Sequence, residues 1–432
     1  MSPKHTVCFC NNRGGVGKTF MAFQTACEAA RARPDKRVLV VDFSLYSDQT
    51  ALLLGGSARE SFGAPMKGLQ VTVDVTTCDT RAEGLIRDLE HAPDAMDCGE
   101  DQPAASSIFG TFFSRQRTST SPGEGKHGAL GAVDLTRYAL RPHDHNPAIP
   151  PNLFLVPSAG ATSWADTQAD TRTDAQAPGA HAEVPLWARR GDGWLRAARA
   201  LRAAFEALPG DFGAVFVDTD HLAACVLTKL ALATCEKVIV PLSFDDGDFN
   251  RLFQDVTGNA LFADVMVPML ESNACRARIS AMVFTKVAST RNEAATTEGG
   301  IHSPFKPSVT VMAQMDAMAR QVQSACRLDA RYARLFLDED GDCEERENVA
   351  DAPTRAFREK YFTAMKLVPD LAANISKMCG LPICAMTSER YVAPSGLSGQ
   401  SAKPVLDGLK AEIRDLVARL LDDSYHAPIA AS

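Results

Sequence analysis

The chain has 432 residues, of which 45% are hydrophobic, and its formal net charge is −8. This length accommodates one large α/β domain with insertions or two domains. The acidic balance argues against a strongly basic nucleic-acid-binding protein, although a local basic patch stays open. The twelve cysteines include no Cys-x-x-Cys pair and no zinc-ligand spacing, no secretory signal opens the chain, and no run of eighteen apolar residues occurs. We therefore expect reduced thiols, no Cys/His metal site, no membrane span and a cytoplasmic protein.

The first predicted elements are a strand at 6–10 and a helix at 20–33, separated by a glycine-rich turn. The glycines let several backbone N–H groups face one anion, and the helix directs the positive end of its dipole to the same point. The turn ends in Gly17, Lys18 and Thr19, where a lysine reaches the β- and γ-phosphates and a hydroxyl ligates Mg²⁺. The alternative is a glycine-rich turn with an accidental Lys-Thr pair. The segment predicts binding of ATP and Mg²⁺. The predicted nucleotide-binding residues are Asn12, Arg13, Gly14, Gly15, Val16, Gly17, Lys18, Thr19 and Phe20.

Further along the chain, apolar runs predict five strong strands and one weaker strand. They lie at 37–42, 153–156, 214–218, 237–241 and 279–285, with the weaker run at 381–385. Continuous apolar runs are typical of parallel strands that are buried on both faces. The first run ends in Asp42, which fits a functional carboxylate at the carboxyl end of a strand. Helical patterns, for example at 193–208 and 222–234, alternate with the strands. The order predicts an α/β fold with a mainly parallel sheet flanked by helices.

Four polar segments interrupt this pattern. They lie at 92–128, 161–185, 289–308 and 338–352. We interpret each as an inserted or flexible loop within a single domain spanning 1–432. The last segment holds eight acidic side chains. It is interpreted as a solvated acidic loop, and a docking site for a basic partner is the alternative.

A predicted helix at 404–421 carries an apolar stripe that includes Leu409, Ile413 and Leu416, with Glu412 on the polar face. Such a stripe favours a face that packs on a core over a membrane anchor, because the polar face mixes both signs of charge.

These motifs, in this order, resemble the ParA/MinD family of P-loop ATPases with a deviant Walker A motif, and in particular its ParA-type branch. That family has a lysine just before the two P-loop glycines, where this chain has Arg13. The run 37–50 resembles the motif that ends in Asp-x-Asp-Pro-Gln, and Asp218-Thr219 resembles the end of the Walker B strand. The runs 236–242 and 381–421 resemble later parts of the family. Relative to that pattern, long insertions fall at about 57–150 and 289–375.

The resemblance implies an ATP-switched homodimer that hydrolyses ATP slowly and positions or segregates DNA or another cargo. A partner protein would stimulate it. Arg13 would cross the dimer interface to the other subunit's phosphates, since a guanidinium fits phosphate oxygens in pairs. The alternative is that Arg13 faces solvent or its own ATP. Mg²⁺ would be held by Thr19 and Asp42, with Asp218 acting through water.

Non-specific DNA is a candidate partner by the same resemblance. Basic side chains near the C-terminus would contact its phosphates in a salt-dependent way. The candidates are Lys377, Arg390, Lys403, Lys410 and Arg414. The alternative is an ordinary solvated surface.

The sequence departs from the family at the residue that orients the attacking water. Ser44 replaces the second acid of the Asp-x-Asp motif. Either Asp48 takes that role or hydrolysis is slow, because a serine accepts protons poorly. The catalytic candidates are therefore Arg13, Lys18, Asp42 and Asp48. A nucleotide-binding scaffold with little turnover is the main alternative function, and a related P-loop kinase or synthetase is a third.

Two further departures concern the strand ends. Asp220-His221 replace a proline after the Walker B strand. We interpret Asp220 as a spare carboxylate near the Mg²⁺ site and His221 as a loop residue. Thr285-Lys286 replace an asparagine that often reads adenine in the family, which leaves the base preference open.

Overall fold

The computed structural model describes most of the chain. The described residues are 5–59, 66–92, 133–158, 194–221, 223, 225–243, 245–287, 307–336, 353–392, 396 and 398–421. The four predicted loops lie largely outside these ranges. Ser308, at the end of one of them, is described, and its hydroxyl accepts a hydrogen bond from the backbone of Val311 at the start of a helix.

The central element is a sheet of seven strands that all run parallel. The strands are β1 (His5–Phe9), β2 (Arg37–Phe43), β3 (Leu153–Val156), β4 (Phe212–Thr219), β5 (Lys237–Leu242), β6 (Arg278–Val287) and β7 (Phe362–Lys366). Their order across the sheet is β3-β2-β4-β1-β5-β6-β7. A separate antiparallel pair consists of β8 (Arg390–Val392) and β9 (Ser398–Gln400). The prediction of an α/β fold with a parallel sheet is confirmed.

Helices cover both faces of this sheet. The α-helices are α1 (Lys18–Ala32), α2 (Asp48–Leu53), α3 (Lys67–Val75), α4 (Ala82–Glu90), α5 (Trp194–Glu206), α6 (Val226–Thr234), α7 (Asp246–Asn250), α8 (Val267–Glu271), α9 (Val309–Leu328), α10 (Ala330–Ala333), α11 (Thr354–Tyr361), α12 (Asp370–Cys379) and α13 (Lys403–Leu421). A π-helix, Leu261–Met266, precedes α8. Short 3₁₀ turns occur at Cys78–Thr80, Leu135–Arg137, Pro142–Asp144 and Ile383–Ala385.

Side chains alternate between the two faces along each central strand, which explains the continuous apolar runs. In β2, Leu39 and Val41 pack with α4, α5 and α6. Val38 and Val40 pack on the opposite face with α1, α2 and the end of α13. Most residues of these runs are buried on whichever face they lie, so the sequence shows no polar alternation. The apolar stripe of α13 packs on the core, as predicted.

The register of the ladder brings three chain segments to one point. Phe9 at the end of β1 lies opposite Asp218 in β4, and Asp218 lies opposite Asp42 in β2. Because the strands are parallel, the turn after β1 and both carboxylates meet at the same edge of the sheet. Ligands of open parallel sheets bind at this edge.

The predicted strand at 381–385 is wrong. Residues Ile383–Ala385 form a 3₁₀ turn, and Ile383 packs in a small cluster with α12 and α13. Pro382 has no N–H to give to a ladder, and Gly380 ends α12 immediately before the run with φ +61°. The seventh strand is instead β7, which pairs with β6 within the segment interpreted as an insertion. It directly follows α11, so no turn residue marks its start.

The structure also corrects the placement of Glu412. It is 5% exposed on the buried side of α13, and its Oε2 accepts a hydrogen bond of 2.8 Å from the backbone N–H of Lys366 in β7. The prediction failed because β7 was not recognised and the sequence therefore showed no buried donor for this carboxylate.

Candidate functional site

The turn between β1 and α1 has the backbone of a phosphate-binding loop. Gly15 and Gly17 have φ values of +79° and +93°, which L side chains adopt only with strain. Helix α1 starts at Lys18, and within the described residues no side chain caps its first turn, which also lacks acidic residues. The first N–H groups of a helix then remain available to an anion, and the helix dipole favours that anion.

Two residues at the end of β6 hold this turn in place. The hydroxyl of Thr285 donates to the carbonyl of Val16 at 2.9 Å. The Nζ of Lys286 donates to the carbonyl of Gly15 at 2.8 Å, and Lys286 itself has φ +62°. A left-handed non-glycine residue is uncommon and often belongs to a functional site. These contacts were missed from the sequence, where the pair stood out only as a departure from the family.

Lys18 is buried and lies against the loop that precedes it. Its Nζ donates a hydrogen bond of 2.8 Å to the carbonyl of Arg13, and the residue is 7% exposed. Burial lowers the pKa of Lys18, whereas the nearby carboxylates of Asp218 and Asp220 act in the opposite direction. A desolvated ammonium with few partners gains much from a phosphate, because Coulomb energies rise as water is excluded.

Asp218 is fully buried beside this lysine. Neither carboxylate oxygen makes a hydrogen bond within the described part of the chain, although the Thr19 hydroxyl lies near enough to favour the charged form. Burial, and then the charge of Asp42, raise the pKa of Asp218 well above its usual range. A buried carboxylate without partners is costly and calls for a cation or an ordered water. A hydroxyl and a carboxylate are also the ligand types that Mg²⁺ prefers.

Asp42 is buried too, but its oxygens are already occupied. One oxygen accepts from the backbone N–H and hydroxyl of Ser44 at 2.9 and 2.6 Å. The other accepts from the same two groups of Thr50 at 2.8 and 2.7 Å. Burial raises the pKa of Asp42 to about 6, although these hydrogen bonds act to lower it. Since a carboxylate has about four acceptor sites, Asp42 fastens the 44–50 loop in this arrangement. A metal contact by Asp42 stays a prediction and requires Ser44 or Thr50 to move.

A cavity of about 630 Å³ lies in front of the glycine turn and suits a ligand of nucleotide size. Six of the predicted nucleotide-binding residues line it, namely Gly14, Gly15, Gly17, Lys18, Thr19 and Phe20. Asp48, Asp220 and His221 line the same space. Enclosure raises the pKa of Asp48, the charge of Asp220 adds to that rise, and Lys377 opposes it.

Three of the predicted nucleotide-binding residues do not line this cavity. The amide of Asn12 donates to the carbonyl of Arg251 at 3.0 Å. Val16 is buried, and Arg13 reaches Asp245 with an N···O distance of 3.7 Å. The Arg13–Asp245 pair is solvent-exposed on both sides, so it contributes little stability and exchanges easily.

The other end of the cavity was missed from the sequence. It is lined by the last residues of β7 and the two that follow, Met365 to Val368, and by one face of α12. Lys377 on α12 places its Nζ 5.6 Å from the centre of the Phe20 ring, within the range of a cation–π contact. Recognition of β7 would have revealed this end of the cavity, but β7 lies inside the segment predicted to be an insertion.

The basic residues proposed for DNA differ in their surroundings. Lys410 donates to the carbonyl of Met386 at 2.6 Å, and Arg414 lies 3.5 Å from the buried carboxylate of Glu28. Lys377 lines the cavity. Arg390 and Lys403 are exposed. A DNA contact by any of them stays a prediction.

Plasmid partition proteins are among the solved structures that this chain resembles. The structure of pNOB8 ParA bound to nonspecific DNA is 14% identical, with a TM-score of 0.44, over 98% of this chain and 100% of that chain. A plasmid partition protein from Borrelia burgdorferi is 12% identical over 68% of this chain and 82% of that chain, with a TM-score of 0.37. At such identities and TM-scores the likeness supports no statement about function.

The comparison with solved structures also finds an enzyme. Cobyrinic acid a,c-diamide synthase from Mycobacterium smegmatis, solved with ADP and magnesium, is 18% identical over 67% of this chain and 77% of that chain, with a TM-score of 0.36. No protein-family model matches the sequence, and the comparison with curated proteins finds no match either. None of the described helices has the length and apolar character needed to cross a membrane.

Proposed function

We propose that this chain is a ParA-like P-loop ATPase, an ATP-dependent homodimer switch that hydrolyses ATP slowly to position or segregate DNA or another cargo. The observation that carries this proposal is that buried Lys18, at the end of the glycine turn, is near a buried carboxylate, Asp218, whose oxygens make no hydrogen bond within the described residues. A structural glycine turn has no need for a desolvated cation and an unsatisfied acid at its base. A phosphate chain with its cation satisfies both.

In this proposal the chain's own residues bind and orient the triphosphate. The uncapped N–H groups of the 14–19 segment hold the phosphate oxygens. Lys18 exchanges its hydrogen bond to the Arg13 carbonyl for the β- and γ-phosphates. Mg²⁺ would be held by the Thr19 hydroxyl and, through water, by Asp218, and when bound it neutralises charge on the phosphate oxygens. The base and sugar would extend towards Phe20 and the end of β7.

The switch in this proposal is ATP-dependent dimerisation. Arg13 lies beside the glycine turn with its side chain 38% exposed, and its ion pair with Asp245 is long, at 3.7 Å, and solvent-exposed. A guanidinium so placed is able to reach the phosphates of a second copy and stabilise charge on the transferred phosphoryl group. Exposed Arg390 and Lys403 are the first candidates for contacts with non-specific DNA, and a stimulating protein partner is part of the proposal.

A specific observation favours the alternative of a nucleotide-binding scaffold with little turnover. Ser44 lines the cavity, but its hydroxyl donates to Asp42 at 2.6 Å and holds its own loop, and a serine accepts protons poorly. If no other group replaces the missing acid, the chain binds ATP and dimerises without rapid hydrolysis.

The first test measures ATP binding by calorimetry and phosphate release with Mg²⁺ for the full chain, Lys18→Ala and Lys229→Ala. Lys229 on α6 lies outside the cavity and controls for loss of a lysine. Lys18→Ala should weaken ATP binding by about 100-fold or more, because it removes a charge-assisted contact of about 3 kcal/mol. Lys229→Ala should bind like the unmodified chain.

The result also separates the two candidate functions. Binding with slow, Lys18-dependent phosphate release supports the ATPase. Binding without release supports the scaffold. Equal ATP affinity of the full chain and Lys18→Ala would refute the nucleotide site itself.

A further inference from the structure

The loop after β4 contains a paired acid and imidazole that the proposed nucleotide contacts do not use. Asp220 is 6% exposed, and its Oδ1 accepts a 2.6 Å hydrogen bond from the backbone N–H of His221. The same oxygen directly contacts the Nδ1 of the His221 ring, whose side chain is 42% exposed. Both residues line the cavity. A buried acid thus holds a solvent-accessible imidazole at the ligand space.

This contact fixes which ring nitrogen carries the proton. A carboxylate only accepts hydrogen bonds, so the Nδ1 of His221 must donate to it. In the neutral ring the Nε2 then keeps its lone pair and is a hydrogen-bond acceptor. A carboxylate behind an imidazole also stabilises the imidazolium that forms when the Nε2 takes a proton.

The pair lines the same cavity as Lys18 and contacts the loop that bears Ser44. The charge of Asp220 acts on Lys18 on one side and on Asp48 on the other. Its Oδ2 also accepts a long hydrogen bond, 3.4 Å, from the backbone N–H of Leu45, the neighbour of Ser44. A base on His221 therefore faces the same cavity as Lys18.

We propose that His221 is the catalytic base of the ATPase and that Asp220 is its positioning residue. This inference rests on the proposed function. The Nε2 of His221 accepts a proton from a water molecule while the water oxygen forms a bond to the γ-phosphorus. The bond from that phosphorus to the β,γ-bridging oxygen breaks, and its electron pair leaves with ADP. The imidazolium then returns its proton to solvent. His221 lies in a loop, as the sequence predicts, and this assignment gives that loop residue a role.

Two competing assignments lead to different expectations. If Asp48 accepts the proton, Asp48→Asn abolishes turnover and His221→Gln does not. If the His221–Asp220 contact only shapes the loop, any loss in His221→Gln follows a loss of nucleotide affinity or of thermal stability.

The kinetic test compares single-turnover phosphate release and ATP affinity for the full chain, His221→Gln and Asp48→Asn. His91→Gln is the matched control, because His91 is an exposed histidine at the end of α4, outside the cavity. Loss of a general base lowers turnover by about 100-fold or more. We expect that loss in His221→Gln with ATP affinity and melting temperature unchanged. His91→Gln should match the full chain.

Added imidazole provides a second readout that a structural role would not affect. In His221→Ala, free imidazole can enter the space that the side chain vacates and accept the proton. We expect turnover of His221→Ala to rise about tenfold with imidazole. Lys18→Ala and His91→Ala should show no such rise.

Nitrogen-15 NMR of histidine-labelled protein without ligand tests the pairing independently of turnover. The His221 resonances, assigned by their absence in His221→Gln, should report a proton on Nδ1. Asp220→Asn should shift this balance towards Nε2–H, with turnover lowered about tenfold or more.

The outcomes distinguish this inference from the function on which it rests. Unchanged turnover in His221→Gln, or a protonated Nε2 in the neutral ring, overturns the assignment while leaving the ATPase intact. A full chain that binds ATP but releases no phosphate overturns both the ATPase and its base. Turnover that His221→Gln loses and imidazole restores in His221→Ala supports both.

Discussion

At the scale of single residues, the buried carboxyl of Glu412 makes the stability of the chain depend on pH. Burial raises the pKa of Glu412 to about 7, while the N–H of Lys366 favours the charged form. The charge of Asp415 adds to the rise, and Lys366 as a cation opposes it. Lys366 belongs to the wall of the cavity. Ionisation of this carboxyl is thus coupled to the strand end that borders the candidate ligand site.

Glu412→Gln should change how stability depends on pH. Because folding raises this pKa from an ordinary 4.5 to about 7, the folded chain holds the proton more tightly than the unfolded chain. Stability from this group is complete below about pH 4.5 and is lost as the pH rises through 7. The variant lacks that loss. The free energy of unfolding of the variant minus that of the full chain should therefore be larger at pH 8 than at pH 5 by about 1 to 3 kcal/mol. Urea unfolding at both pH values measures this difference.

The control for that experiment is Glu83→Gln, a change of a half-buried carboxylate on α4, measured at the same two pH values. A Glu412→Gln difference that is the same at pH 5 and pH 8 would contradict a raised pKa, because a packing defect does not depend on pH in this window.

At the scale of elements, a close backbone contact joins the ends of α2 and α12. A Cβ on Gly56 would lie 2.2 Å from the carbonyl oxygen of Met378, and one on Gly380 would lie 2.3 Å from the carbonyl of Leu52. The backbone N–H of Ser57 also donates to the carbonyl of Lys377 at 2.8 Å. This contact sets the distance between α2, which starts at Asp48, and α12, which bears Lys377. Both side chains line the cavity.

Gly56→Ala should therefore separate the two helices. Gly56 and Gly258 both have left-handed φ values, +97° and +68°, but a Cβ on Gly258 meets nothing within 4 Å. Gly258→Ala thus carries the backbone strain alone, about 1 kcal/mol. Gly56→Ala adds a clash with rigid backbone, and we expect a total loss of about 3 kcal/mol or more with weaker ATP binding. Thermal and urea unfolding measure the stabilities, and equal losses in the two variants would contradict the contact.

At the scale of the whole molecule, the sheet edge that bears the glycine turn is open on the side where Arg13 lies. The glycine turn presents Gly14 and Gly15 to solvent, and the Arg13–Asp245 pair is exposed. A second copy that approaches this edge would exchange a weak surface ion pair for a bidentate contact with phosphate. The proposed dimer therefore has a definite residue on which it depends.

Arg13→Ala should keep ATP affinity within a fewfold of the full chain and lose ATP-dependent dimerisation, measured by light scattering. Arg13→Lys should restore it in part, since a lysine keeps the charge without the paired geometry. If Arg13 acts across the interface, mixing Arg13→Ala with Lys18→Ala restores some phosphate release, because one ATP then meets an intact arginine. Dimerisation of Arg13→Ala at normal ATP concentrations would contradict the proposal.

Local patterns predicted much of the fold and of the site. Six of the seven sheet strands fell where apolar runs place them, because strands buried on both faces leave a continuous signal. The glycine turn was predicted from adjacent residues alone. β7 was missed because its partner is β6, far away in the sequence. Its five residues alone do not show the pattern of a strand. The same omission hid the role of Lys366 and the burial of Glu412.

The sequence by itself determined the parallel sheet, the position of the glycine turn and the carboxylates near the ends of β2 and β4, because these follow from residues close together in the chain. The tertiary structure decided which of these carboxylates accepts hydrogen bonds and which does not. Asp42 is saturated by Ser44 and Thr50, whereas Asp218 has no hydrogen-bond partner in the described segments. It also decided that His221 meets Asp220 at the cavity. Hydrogen-bond satisfaction and burial depend on which segments pack together, and side-chain type alone does not specify that.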